Sequence, residues 1–190
     1  MDIYDAIVAD PENQEFTQKG WKPIYTAPAS AKILIIGQAP SMRVQKAEVM
    51  WKDASGDRLR EWLGVDEKEF YDSGDFGVIP MDFYYPGKAK SGDKAPRKGI
   101  AKKWHPELLQ RMPNLQLIIL IGAYSQRFYL KLPTKTKITD VVADYQKYLP
   151  KYFPIVHPSP RNNIWMAKNP WFATEVIPAL QKRVAEIIKK

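Results

Sequence analysis

Apolar residues gather into four short runs along the chain: 32–37 (KILIIG), 76–81 (FGVIPM), 115–122 (LQLIILIG) and 152–157 (YFPIVH). None alternates apolar with polar positions, and continuous β-branched runs of this length suit strands covered on both faces. The second run is the weakest, because Gly77 and Pro80 interrupt it. Between the runs the spacing becomes helical. Residues 55–63 place Leu59, Trp62 and Leu63 on one face, with Gly64 as a stop signal. Residues 101–112 turn Trp104, Leu108 and Leu109 inward, and 124–130 read as a short helix directly after the third strand. A last helix is marked by Phe172, Val176, Leu180, Val184, Ile187 and Ile188. Strands alternating with helices predict an α/β fold on a mostly parallel, four-stranded sheet. Ligands meet such sheets at the carboxyl ends of the strands, so the loops after Gly37, Met81, Gly122 and His157 should share one rim. Residues 1–31, with Ile3, Ile7, Val8, Trp21 and Tyr25, are expected to pack on a single domain spanning 1–190.

Composition narrows the chemistry. The 190 residues hold 29 Lys+Arg against 21 Asp+Glu, a net charge of +8, which favours a polyanionic partner. With no cysteine, disulfides, thiolate zinc sites, iron–sulfur clusters and a thiol nucleophile are excluded together. Two histidines, His105 and His157, are too few for a His-rich metal site, so neither metal nor cofactor is expected. No window holds the roughly 18 apolar residues that span a bilayer. The start lacks the basic and apolar regions of a signal peptide, so a soluble cytoplasmic monomer is expected.

Two loops on the expected rim carry the candidate chemistry. Gly37-Gln38-Ala39-Pro40-Ser41 lets a strand end in a tight turn with backbone N–H groups facing outward. Alone it reads equally well as a plain turn. His157-Pro158-Ser159-Pro160-Arg161-Asn162-Asn163 holds an imidazole, a hydroxyl and a guanidinium between prolines, and alone it reads as a rigid surface loop. Together they resemble the uracil-DNA glycosylase superfamily, which pairs a G-x-x-P loop after a strand with an H-P-S-P loop near the C-terminus. The two lie 120 residues apart here. Arg161-Asn162 is similar to the single-strand-selective branch. Trp51-Lys52-Asp53-Ala54-Ser55-Gly56, followed by Leu59, resembles an aromatic-x-x-D-x-S-G-x-x-L segment of the thermophile-type branches, with a small spacing change. The resemblance runs from about Lys32 to Phe172, and the missing cysteines set the chain apart from the iron–sulfur branches.

The resemblance implies a three-layer α/β/α sandwich around that central sheet. It also implies a monofunctional DNA glycosylase that flips a deaminated base from single- or double-stranded DNA and hydrolyses its N-glycosidic bond. The base would be uracil, or else hypoxanthine or xanthine, and the protein would be nucleoid-associated when engaged on DNA. Breaking that bond needs donors toward the departing base, a negative group beneath the sugar and a placed water. His157 would be the donor, joined by backbone N–H groups around Gln38 and Ala39.

The chain departs from the family at the acid. Ala39 stands where several branches carry Asp or Asn, and Gln38 where another carries Glu. The resemblance to the branch with Ala at the position of Ala39 implies an aspartate further along, in the aromatic-x-x-D-x-S-G segment. Asp53 occupies that place and would be the general base, against the plainer reading of a helix N-cap. Trp51 is a stacking platform for the base or a core tryptophan. Ser41 replaces a bulky tyrosine and leaves the pocket wide, with Gly37 and Pro40 shaping the loop. Met81 closes the second strand, where uracil-selective members carry an Asn; Asp82 is the polar side chain left there to meet a base edge. Ser159 and Asn162 would hold the DNA backbone and Arg161 would fill the vacated stack. Seven basic residues stand between 88 and 103 against the single acid Asp93. Lys88, Lys90 and Arg97 among them are assigned to phosphates, against the reading of a solvated face. Lys182, Arg183, Lys189 and Lys190 read as helix-end solubilisers. The absent carboxylate in the first loop also fits a catalytically inactive nucleic-acid-binding protein on the same fold. A nucleoside or nucleotide hydrolase, needing no basic clamp, is a third reading.

Overall fold

The computed structural model describes residues 1–189. Lys190, grouped above with the helix-end cations, lies outside the described residues. Four strands form one sheet: β1 (Ile33–Ile36), β2 (Phe76–Val78), β3 (Leu117–Ile121) and β4 (Tyr152–Ile155). Their order is β2-β1-β3-β4 and every pairing is parallel. Ile33 lies opposite Phe76 on one side and Leu117 on the other.

Alternate strand residues feed two separate cores, which is what makes the fold three-layered. Ile33, Ile35, Leu117, Ile119, Phe153 and Ile155 face a layer built on α4 (Ala54–Leu63) and α10 (Ile177–Ile188). Leu34, Ile36, Ile118 and Leu120 face a layer with α1 (Ile3–Ala9) and α6 (Ile100–Gln110). The apolar runs are continuous because neither face of the sheet meets water. Leu59, Trp62, Leu63, Trp104 and Leu108 are buried as their spacing predicts, while Leu109 is only partly so.

The N-terminal segment packs through Ile3, Ile7 and Phe16, with Val8 half-buried. Thr26 exchanges two backbone hydrogen bonds of 2.8 Å with Val78, so the segment covers the edge of β2. Beyond Val78 the second apolar run is not strand: Pro80 has no N–H to give a ladder, and its carbonyl accepts from His105 Nε2 at 2.9 Å. The remaining helices are α2 (Gln14–Gln18), α3 (Met42–Ala47), α5 (Glu67–Asp72), α7 (Gly122–Leu130), α8 (Ile138–Ala143) and α9 (Asn163–Lys168). Of these only α7 is expected from the sequence; the others are too short to display a period. The C-terminal helix opens with a wide π turn at Phe172–Val176, which the four-residue apolar spacing does not distinguish from α-helix. Among the described residues no helix is long and apolar enough to cross a membrane.

Candidate active site

A cavity of about 590 Å³ opens at the carboxyl ends of β1 and β4. Both rim loops line it, through Gln38, Ala39, Pro40 and Ser41 on one side and His157, Ser159, Arg161 and Asn162 on the other. Trp51 and Asp53, from the link between α3 and α4, complete the wall. The sequence places these ten residues together, and the fold brings all of them to one cavity.

His157 leaves β4 on a stiffened turn. Its Nδ1 accepts a hydrogen bond from the Ser159 N–H at 3.1 Å, and its carbonyl accepts from Asn162 Nδ2 at 2.7 Å. An imidazole that accepts at Nδ1 carries its proton on Nε2 when neutral. Burial pushes its pKa below the usual histidine value, with the Asp53 charge opposing the shift. Near neutral pH this side chain is therefore an uncharged N–H donor.

Asp53 is the N-cap of α4, its Oδ1 accepting from the Gly56 N–H at 2.9 Å, and it lines the cavity as well. Capping and facing the site are compatible, since a carboxylate has lone pairs to spare on both oxygens. Trp51 is a core tryptophan that also lines the cavity. It is 6% exposed within the core of the α4 layer, and its ring lies 5.5 Å from that of His157, tilted by 39°. Its backbone is left-handed at φ 63, a region few non-glycine residues adopt. Two glycines make room for it. A Cβ at Gly37 would lie 3.3 Å from the indole, and one at Gly56 would lie 1.6 Å from the Trp51 carbonyl oxygen. Ser41 caps α3, its Oγ accepting from the Val44 N–H at 3.2 Å.

Several expected contacts fall elsewhere. Arg97 does not reach the cavity: its Nε and Nη2 donate to the fully buried Asp82 at 2.9 and 2.8 Å, and Nη1 and Nη2 to the Glu12 carbonyl and Asn13 Oδ1. This corrects both assignments, since Asp82 is unavailable to a base and Arg97 to a phosphate. Met81 is buried in the α6 layer rather than on the cavity wall, and Gly37 acts beneath the Trp51 ring without lining the cavity itself. Lys103 is paired with buried Asp10 at 2.6 Å. Lys88 and Lys90 are exposed on a turn closed by Lys94 N–H to the Gly87 carbonyl and Ala89 N–H to the Gly92 carbonyl. The far arm of that turn brings Ser91, Gly92, Asp93 and Lys94 to the cavity, within reach of Arg161.

Three positioning side chains leave little trace in the sequence. Gln45 joins α3 to the loop after β2, donating to the Lys22 carbonyl and accepting from the Tyr85 N–H. Gln126 donates to the Leu120 and Ile155 carbonyls, clamping β3 to β4 just before His157. Arg58 ties α4 to the proline loop through Asn163 Oδ1 at 2.7 Å. Among the described residues no three His, Asp or Glu side chains cluster as metal ligands would.

The family model of the Uracil DNA glycosylase superfamily matches residues 23–181. The chain belongs to that superfamily. The match takes in both rim loops and the Trp51–Asp53 link, and begins after Glu12 and Asn13, two of the residues that engage Arg97. The chain is also similar to a solution NMR structure from Methanosarcina acetivorans, provisionally described as a uracil DNA glycosylase. That likeness covers 82% of this chain and 92% of the other at 13% identity, with a TM-score of 0.48. The first rim loop carries no carboxylate, since Gln38 and Ala39 stand there, and the carboxylate on the cavity wall comes from Asp53 at the N-cap of α4.

Proposed function

We propose that the chain is a monofunctional DNA glycosylase that hydrolyses the N-glycosidic bond of a deaminated base extruded from DNA. The observation that carries this reading is the meeting of a neutral N–H donor, an aromatic wall and a carboxylate in one cavity: His157, Trp51 and Asp53. Cleavage of the C1′–N bond leaves negative charge on the base and positive charge on the sugar. His157 Nε2–H donates to a base carbonyl as that oxygen gains charge, with the backbone N–H groups at Gln38 and Ala39 beside it. Asp53 stabilises the sugar cation and takes a proton from the attacking water, whose oxygen bonds to C1′. Trp51 gives the base an apolar wall, a contact of the kind that contributes ~1–3 kcal/mol per base. Ser41 leaves room for uracil, hypoxanthine or xanthine. Ser159, Arg161, Asn162, Lys88, Lys90 and Lys94 would face the DNA backbone and the vacated stack.

Oligonucleotides carrying uracil, hypoxanthine or xanthine, incubated with excess protein and then cleaved at abasic sites, test the reading. Product from at least one is expected, and no product from any would sink it. One observation favours a second reading, a DNA-binding protein without excision: Asp53 already spends one oxygen on the Gly56 N–H. Salt-dependent DNA binding with no turnover would select that reading. Excision lost in Asp53→Asn while DNA binding is kept would dismiss it.

A further inference from the structure

We propose that Arg60 is a positioning residue for the cavity, holding from behind the left-handed turn that carries Trp51 and Asp53. Its kinetic consequence rests on the glycosylase reading; the placement does not. Arg60 sits in the second turn of α4 and is 6% exposed, an unusual burial for a guanidinium. Its nearest carboxylate, Asp57, is itself 76% exposed, so ion pairing does not account for that burial. Nη2 donates to Asp57, and at the buried end Nη1 donates to main chain, the Trp51 carbonyl at 2.9 Å.

The preceding carbonyl, that of Met50, is held by the Tyr71 hydroxyl at 2.8 Å, and Arg60 lies over the rings of Phe70 and Tyr71. Two successive carbonyls are thus bound by side chains of α4 and α5. A non-glycine residue in the left-handed region persists only where its surroundings over-determine it. Here those surroundings are Arg60, Tyr71 and the space left at Gly56. The same turn sets the indole above Gly37 and beside His157, and two residues later sets Asp53 on the cavity wall.

Arg60→Met tests this with two readouts. In single-turnover excision the rate constant is expected to fall about 10- to 100-fold, the effect of a misplaced wall and base. DNA affinity should stay within about threefold, because no phosphate contact is removed. The second readout is the imidazole NMR spectrum, in which two histidines give two sets of ring signals. His157, against the Trp51 ring, should shift, while His105 in the other layer stays in place. Loss of stability alone would leave the native signals of both where they are.

Unmoved His157 signals overturn the proposal, and so does a moved signal with the wild-type excision rate. If His157 moves but neither the wild type nor the variant excises any base, the placement stands and the glycosylase reading falls. Should Arg60→Met fail to fold, Arg60→Lys carries the same test, since an ammonium cannot span the Trp51 carbonyl and Asp57 together. A shift of the His157 signals away from their wild-type positions is expected there, and none overturns the proposal.

Discussion

The cavity rim and the α6 layer beneath the sheet treat the same residue types in opposite ways. Each holds one histidine, fully buried in the α6 layer and half-buried at the rim. In the α6 layer His105 Nε2 donates to the Pro80 carbonyl at 2.9 Å, and Nδ1 accepts from the Tyr129 hydroxyl at 2.6 Å. Both nitrogens are used, and burial pushes the pKa down to about 4. At the rim, His157 Nδ1 accepts from the Ser159 N–H, while Nε2 has no partner among the described residues. The cations divide along the same line. Arg97 and Lys103 are consumed by buried Asp82 and Asp10, whereas Lys88, Lys90 and Lys94 make no ion pair among the described residues. Closed hydrogen-bonding valence marks the groups that hold the fold together; open valence, gathered in one place, marks a site.

The largest effects expected are at the open end. His157→Ala and Asp53→Asn should each lower single-turnover excision by about 10²- to 10⁴-fold, the usual contribution of a placed donor or base. Asn is as good an N-cap as Asp, so Asp53→Asn should leave chemical-denaturation stability within about 0.5 kcal/mol. A carboxylate that mattered only as a cap would leave excision intact in that variant, and the contrast between the regions would fail at its centre.

The closed end answers with stability instead. Arg97→Met strands the fully buried Asp82 and empties the contacts to Glu12 and Asn13, which should destabilise by about 3–5 kcal/mol. The excision rate of the folded fraction should be near wild type. A stable Arg97→Met protein with weakened DNA binding would return that residue to the DNA interface.

The pH dependence of stability separates the histidines further. The unfolded chain protonates His105 near 6.5 and the folded chain only near 4, so between those values the unfolded state binds more protons. Stability is therefore full above 6.5 and falls as pH drops toward 4, by about 3 kcal/mol from this group. In His105→Leu that part of the slope should vanish. Urea titrations at several pH values measure the difference, and parallel slopes in the two proteins would contradict the buried neutral state.

The α/β architecture was readable because a doubly covered sheet leaves continuous apolar runs, and 33–36 and 117–121 are strands within two residues of their runs. The second run misled by three residues, since its apolar tail is buried without being paired. Gly37-Gln38-Ala39-Pro40-Ser41 and the His157 loop were legible because their chemistry is local in sequence. Arg97 was misplaced because its partners are distant: Asp82 lies 15 residues away and Asn13 lies 84 away. A run of positive charge announces itself in sequence, but which of its members meets a buried carboxylate is settled by packing. Gln45, Gln126 and Arg60 were missed for the same reason, each acting on a backbone carbonyl or N–H that sequence does not display.

The smallest effect tests that division of the basic run directly. Lys88, Lys90 and Lys94 stand exposed on the turn whose far arm reaches the cavity, so their ammonium groups are free to displace counterions from DNA. Each Lys→Gln change should weaken DNA binding only a few-fold and lower the log–log salt slope by up to about 0.9 for every phosphate no longer neutralised. The triple variant should keep its melting temperature, because no ion pair among the described residues is broken. Lys103→Gln should do the reverse, leaving the salt slope alone while lowering stability through the stranded Asp10. Titrations of one fluorescent oligonucleotide at three salt concentrations measure all of these proteins. Equal slopes for the triple variant and the wild type would mean that the exposed lysines are a solvated face, with the DNA held elsewhere.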